Sequence, residues 1–371
     1  MTPRDLAAAV AASLPGPGAA LLLALALAVA AAGTTGVLTQ APSEGTASTA
    51  GPADWALVDQ IERGDGATVA ITYATANGTR RVDVDAGEPE RVDVDENWAY
   101  LSRDALPAPL SRNANNYTAG VATVGPWALV GDLAVATEEA GRARVTVVAP
   151  AGMAVDPGRK AGFLAAFAGP YAFQPDGADP VTILVAPHAL PADGVSYGDR
   201  GYVAQHAFWD GDVASVWVHE YVHAQQDFRL ESGMRWFREA SATYLSYRVM
   251  AEQYGEVTDR DVRDRLAASP RYPDTALANR SAWTDTHADY HRGARLLYAV
   301  DAAVRAGSDR ERTLVDVFRT LQTREGPISV AAFVRIVERQ AETDQPWLRA
   351  AITDTGNLSQ RRSSTGSVFA G

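Results

Sequence analysis

His219-Glu220-Tyr221-Val222-His223 constrains this chain more than any other stretch, because histidines four residues apart share a face only when the segment is helical. On a helix the two imidazoles stand one turn apart and can reach a single ion. The glutamate between them is displaced around the axis and faces a water instead of the ion. His219 and His223 are therefore candidate metal ligands, and Glu220 is a candidate general base. With 6 His in 371 residues, such a pattern arises by chance roughly 0.005 times per sequence of this composition, so coincidence is a weak competitor. Cysteine is absent. Disulfides, thiolate ligands and a lipid-bearing cysteine are thereby excluded, and any metal depends on histidine and carboxylate.

A helix is expected from Asp212 to Phe228, about four turns long, with Asp212 as N-cap and Val213, Val216, Trp217 and Val222 as its apolar positions. After Glu231-Ser232-Gly233, a second helix is expected over Trp236–Tyr244, and its Glu239 is the candidate third ligand. Asp227, four residues past His223, is a candidate for orienting a ligand; the alternative is a solvated carboxylate near the helix end.

The succession H-E-x-x-H then W-F-x-E-A-x-A-x-Y, here His219–His223 and Trp236–Tyr244, resembles the gluzincin metallopeptidases, which include thermolysin, aminopeptidase N and the glycyl aminopeptidases. The resemblance implies one Zn2+ per chain held by His219, His223 and Glu239, with Glu220 activating a zinc-bound water against a peptide bond. Asp289-Tyr290-His291-Arg292-Gly293 resembles the Y-x-x-G segment of the aminopeptidase branch, which makes Tyr290 the implied donor to the oxyanion; His291 beside it is a candidate supporting or substrate-binding group. Gly201-Tyr202-Val203-Ala204-Gln205 stands where that branch carries its G-x-M-E-N substrate strand. Gln205 in place of the glutamate removes the charge that would hold a free amine, so endopeptidase and aminopeptidase readings both stay open. Thr243 stands where thermolysin relatives place an aspartate that supports a ligand histidine.

With 45 Asp+Glu against 33 Lys+Arg, and Lys160 the only lysine, nucleic acid is excluded as a partner: no basic field meets the phosphates. Residues 19–38 carry no charge and match the length of a bilayer span. Arg4 precedes them and no basic residue follows until Arg63, which predicts a single-pass anchor with the bulk of the chain outside the cytoplasm. The alternative is a cleaved signal and a secreted protein.

The expected architecture is α+β: anchor or signal plus linker over 1–53, a β-rich N-terminal domain over 54–150, a thermolysin-like zinc catalytic domain over 151–255, a helical part completing the site over 256–353 and a mobile tail over 354–371. Alternation through Ala67–Tyr73 and Arg81–Asp85 about Asn77-Gly78 predicts a hairpin, and Asp156-Pro157 predicts a helix start. Ser308-Asp309-Arg310-Glu311 reads as a capping box and Ser329 as another cap. The chain so read is a membrane-anchored or exported zinc metallopeptidase acting on peptides or proteins. The rival is a catalytically inactive gluzincin-fold binding or scaffold protein of the cell envelope.

Overall fold

A computed structural model describes residues 56–356 except 66, 87–92, 96, 113, 142, 169–170, 172–179, 188–191, 208–212, 256 and 285. The expected membrane segment at 19–38, the Asp212 cap and the tail beyond Gly356 lie outside the described residues. Among those residues, no helix is long and apolar enough to cross a membrane.

Period-two patterning builds three sheets. Strands β1 (Ala56–Arg63), β2 (Thr68–Thr75) and β3 (Gly78–Asp85) form an antiparallel meander, whose second turn uses Gly78 at φ +102° as the Asn-Gly signal requires. Strands β4 (Asp93–Val94) and β5 (Trp98–Ser102) precede a short helix α1 (Ala108–Arg112). With β6 (Val121–Val124) and β7 (Trp127–Gly131) they make a four-stranded sheet of order β4-β5-β7-β6. The third sheet holds β8 (Leu133–Ala140), β9 (Ala143–Pro150), β10 (Val181–Ala186), β11 (Gly194–Tyr197) and β12 (Arg200–Ala204) in the order β11-β12-β10-β9-β8. Its central strands β9, β10 and β12 are parallel, and β8 and β11 close the edges antiparallel.

Alternation decides how these layers stack. On β5, Ala99 and Leu101 join Ile61 and Ile71 in one core, while Trp98 and Tyr100 turn the other way to meet Val148, Leu184 and Tyr202. Strands β9 and β10 are buried on both faces, with Val145, Val147, Ile183 and Val185 packed toward the helices. That double burial matches the unbroken apolar run Ile183–Ala186 on β10. Leu133–Pro150 hydrogen-bonds into the five-stranded sheet, with β9 beside β10, so this sheet takes strands from both sides of the boundary expected at residue 150.

Helix α2 (Pro157–Ala168) begins at the expected proline, with the Asp156 carboxylate accepting from the Gly158 and Arg159 amides. It links the parallel pair β9 and β10, the crossover that parallel strands require. The remainder is helical: α3 (Val216–Ala224), α4 (Trp236–Gln253), α5 (Asp259–Ala268), α6 (Ala288–Gly307), α7 (Leu314–Gln322), α8 (Val330–Ala341) and α9 (Pro346–Thr353). Ser329 caps α8 as expected. Ser308 does not start a helix. Its hydroxyl bonds back to the Val304 carbonyl at the end of α6, and Thr313 with Asp316 forms the box that opens α7.

Candidate metal centre

Helix α3 is shorter than its sequence suggests, spanning 9 residues capped by Ser215, whose hydroxyl accepts from the Val218 amide. It stops because the backbone after Ala224 is drawn toward α7: the Gln322 side chain donates to the Gln225 carbonyl and accepts from the Asp227 amide. Trp217, Val218, Tyr221 and Val222 bury one side of α3 in the main core. This anchors His219, Glu220 and His223 from behind.

Helix α4 brings Glu239 in its first turn to the two histidines. His223 Nε2 lies 3.0 Å from both His219 Nε2 and Glu239 Oε2, and His219 Nε2 lies 3.4 Å from the same oxygen. Donors bound at about 2.0–2.1 Å to a tetrahedral ion stand about 3.3 Å apart, so these three atoms have the spacing of one face of such a site. Two nitrogens and a carboxylate oxygen suit zinc, and the thiolate-free composition allows no softer set. Residues His219, His223 and Glu239 also form the group of metal-ligating side chains found among the described residues.

Burial shapes the protonation of each group. It lowers the pKa of His219. For His223, burial acts downward too, but the hydrogen bond and charge of Glu239 win and raise it. Burial would raise Glu239, yet the hydrogen bonds from His219 and His223 hold it well below the carboxylate range. Glu220 is 5 % exposed, its Oε2 has no partner, and burial lifts its pKa to about 7. The Tyr290 ring, in the first turn of α6, stacks on His219 at 5.8 Å with 4° between planes. Burial and the Glu239 carboxylate, to which its hydroxyl is hydrogen-bonded, keep Tyr290 protonated and thus a donor.

Other expected residues fall elsewhere. Gly201 and Tyr202 lie on β12, which is paired on both sides by β10 and β11, so its backbone has no edge for a ligand; Gln205 is exposed in the turn beyond. The edge strand is β11, and it approaches Glu220 so closely that a Cβ on Gly194 would stand 2.7 Å from Glu220 Cγ. The two-residue turn Gly198-Asp199 between β11 and β12, with Gly198 at φ +71°, is the sequence signal that marks this hairpin. Asp227 is exposed, as its solvated reading expects, and the side chain that reaches the ligand histidine is its neighbour Gln226, 3.0 Å from His223 Nδ1. Thr243 is buried with its hydroxyl unpartnered, so it supports neither histidine. His291 stacks on Tyr272 at 6.3 Å and faces His287, away from the three ligand atoms. Asp289, one residue before Tyr290, is buried, and burial together with the Glu239 charge lifts its pKa to about 6.

No family model matches the chain, and no curated protein sequence matches it. Solved structures do. An aminopeptidase N family protein from Idiomarina loihiensis superposes with a TM-score of 0.53 at 13% identity, covering 83% of this chain and 68% of that one. Legionella pneumophila aminopeptidase A aligns at a TM-score of 0.47 and 10% identity, over 82% of this chain and 45% of its own. An M1 zinc metallopeptidase from Deinococcus radiodurans aligns at 0.45 and 15% identity, over 81% of this chain and 85% of its own. The first of these shows a shared fold: β sheets in the N-terminal region leading into a mixed sheet and a helical C-terminal part.

Proposed function

We propose that the protein is a zinc metallopeptidase that hydrolyses peptide bonds, with the five-stranded sheet and helices α3, α4 and α6 forming a thermolysin-like catalytic half. The observation that carries this reading is the convergence of His219, His223 and Glu239 on one point, with Tyr290 stacked on His219 and Glu220 buried between the two histidines in sequence. His219, His223 and Glu239 would hold the zinc, which when bound supplies Lewis acidity and an acidified water. Glu220, buried and free at Oε2, takes a proton from the attacking water and delivers it to the departing amine. The Tyr290 hydroxyl donates to the carbonyl oxygen as negative charge develops there. Strand β11, the edge of the sheet among the described residues, offers backbone groups to an extended peptide in the manner of strand addition.

The edge strand reads Gly194-Val195-Ser196-Tyr197 and carries no carboxylate, which favours cleavage without capture of a free amine. Residues 19–38 would anchor the chain in a membrane with the site outside the cytoplasm, or be removed on export. Zinc content together with cleavage of a peptide library tests the activity. The parent should bind close to one zinc and cleave, and Glu220→Gln should keep the metal and lose activity by several orders of magnitude. A Glu220→Gln protein as active as the parent refutes the mechanism, and a zinc-loaded parent that cleaves nothing supports the scaffold reading. Peptides blocked at the amino terminus should be cleaved as well as free ones.

A further inference from the structure

Gln226 sits in the turn after α3, three residues past His223, and is 8 % exposed. Its Nε2 donates to the Arg238 carbonyl and to Ser241 Oγ, both at 2.9 Å, and Ser241 Oγ itself donates to the Arg238 carbonyl. A main-chain carbonyl can only accept, so this contact fixes which end of the Gln226 amide is nitrogen. The other end, Oε1, then faces His223 Nδ1 at 3.0 Å, and an amide oxygen can only accept in turn. His223 Nδ1 must carry the proton. Its Nε2 is the ring atom turned toward His219 Nε2 and Glu239 Oε2, and it is the one free to present a lone pair to a metal held there.

Resting on the zinc-site reading above, we propose that Gln226 is a positioning residue that locks His223 in its metal-binding tautomer while tying the α3 turn to the first turn of α4, where Glu239 resides. One side chain serves both halves of the ligand set. Arg238 immediately precedes Glu239, and Ser241 follows it by two residues, so the amide nitrogen grips the backbone that carries the third ligand. Neither a longer nor an unbranched apolar side chain can make these contacts. The residue chosen for such support in the sequence, Asp227, lacks the donors that the Arg238 carbonyl needs.

The test begins on the zinc-free parent at about pH 8.5. Long-range proton–nitrogen NMR of His223 should show Nδ1 protonated, and an Nδ1 without a proton overturns the proposal without any variant being made. Gln226→Met then keeps the volume and removes every hydrogen bond. Zinc affinity measured by chelator competition should fall ~10–100-fold, and the His223 spectrum should shift to mixed tautomers. Gln226→Glu, which retains an acceptor for Nδ1 but loses the donors to Arg238 and Ser241, should restore the tautomer and recover only part of the affinity. Zinc binding by Gln226→Met within twofold of the parent overturns the proposal. A parent that binds no zinc defeats the zinc-site reading instead, and the tautomer measurement still decides the role of Gln226.

Discussion

The segment Tyr290-His291-Arg292-Gly293 places Tyr290 one turn before Gly293, and at Gly293 α6 comes close to α4. A Cβ built on Gly293 would stand 2.6 Å from Ala240 Cβ and 3.4 Å from Trp236 Cε3. Carbon atoms in good contact sit about 3.5–4.0 Å apart, so Gly293→Ala demands on the order of 1 Å more room. Both clashing atoms are Cβ atoms rooted in helices, so no rotamer can relieve them and α6 must move. Alanine gains about 1 kcal/mol over glycine in helix propensity, while overpacking costs about 1–3 kcal/mol, leaving a net loss of about 0–2 kcal/mol. The effect on turnover should be larger. Ala240 follows Glu239 directly, so the displacement falls on the contact between Tyr290 and Glu239, and a misplacement near 1 Å can cost ~100-fold in rate. The zinc ligands lie on α3 and α4 and stay in place. Gly293→Ala should therefore show kcat/KM on a peptide substrate lowered ~10–100-fold, with zinc content unchanged and Tm slightly reduced. Adding Ala240→Gly removes the opposing methyl and should return most of the activity, giving a coupling of about 1–3 kcal/mol between the two sites. Parent-like activity and Tm in Gly293→Ala, or a double variant no better than the single one, would refute the close-approach argument.

Two further perturbations probe Glu220. Gly194→Ala places a methyl 2.7 Å from Glu220 Cγ and 2.8 Å from its Oε1 at a backbone conformation that alanine accepts, so kcat should fall ~10–100-fold with zinc retained; full activity would show that Glu220 works from another position. The second concerns stability of the zinc-free protein. Burial raises Glu220 from 4.5 to about 7, so it favours the fold below its unfolded value and loses that contribution as pH climbs through 7. Glu220→Gln should then be more stable than the parent by about 3 kcal/mol at about pH 8 and equal to it near pH 4 in chelator-treated urea melts. An advantage independent of pH would mean that the carboxylate is not desolvated.

Much of the site could be read from residues alone because helical spacing is a rigid code. The four-residue spacing of His219 and His223 dictates a shared face once the helix forms, and Trp236-Phe237 ahead of Glu239 announces a second buried helix with its acid in the first turn. Element ends were less legible. Helix α3 stops at Ala224 because Gln322, some hundred residues downstream, binds the backbone after it. Sheet membership was hidden for a related reason: a β-strand pattern specifies alternation but not which sheet will accept the strand, and β9 pairs with β10 across the α2 crossover while β8 pairs with β9. Gln226 carried no signal at all. A lone glutamine becomes informative only when the Arg238 carbonyl and the His223 ring are known to lie on its two sides.

Gln205 stands where an amine-holding glutamate is expected, and the structure puts it in the exposed turn past the end of an interior strand. The open edge belongs to Gly194–Tyr197, and on it Gly194 turns toward Glu220 and Val216 while Tyr197 lies against Gly125 in the neighbouring turn. Alternation on a strand leaves only Ser196 on the side of Gly194, and its hydroxyl is bonded to the Gly198 carbonyl. A terminal ammonium would thus find no carboxylate on the edge strand, and pairing with Glu239 would set it against the zinc. An internal peptide bond, flanked by neutral amides, meets no such conflict.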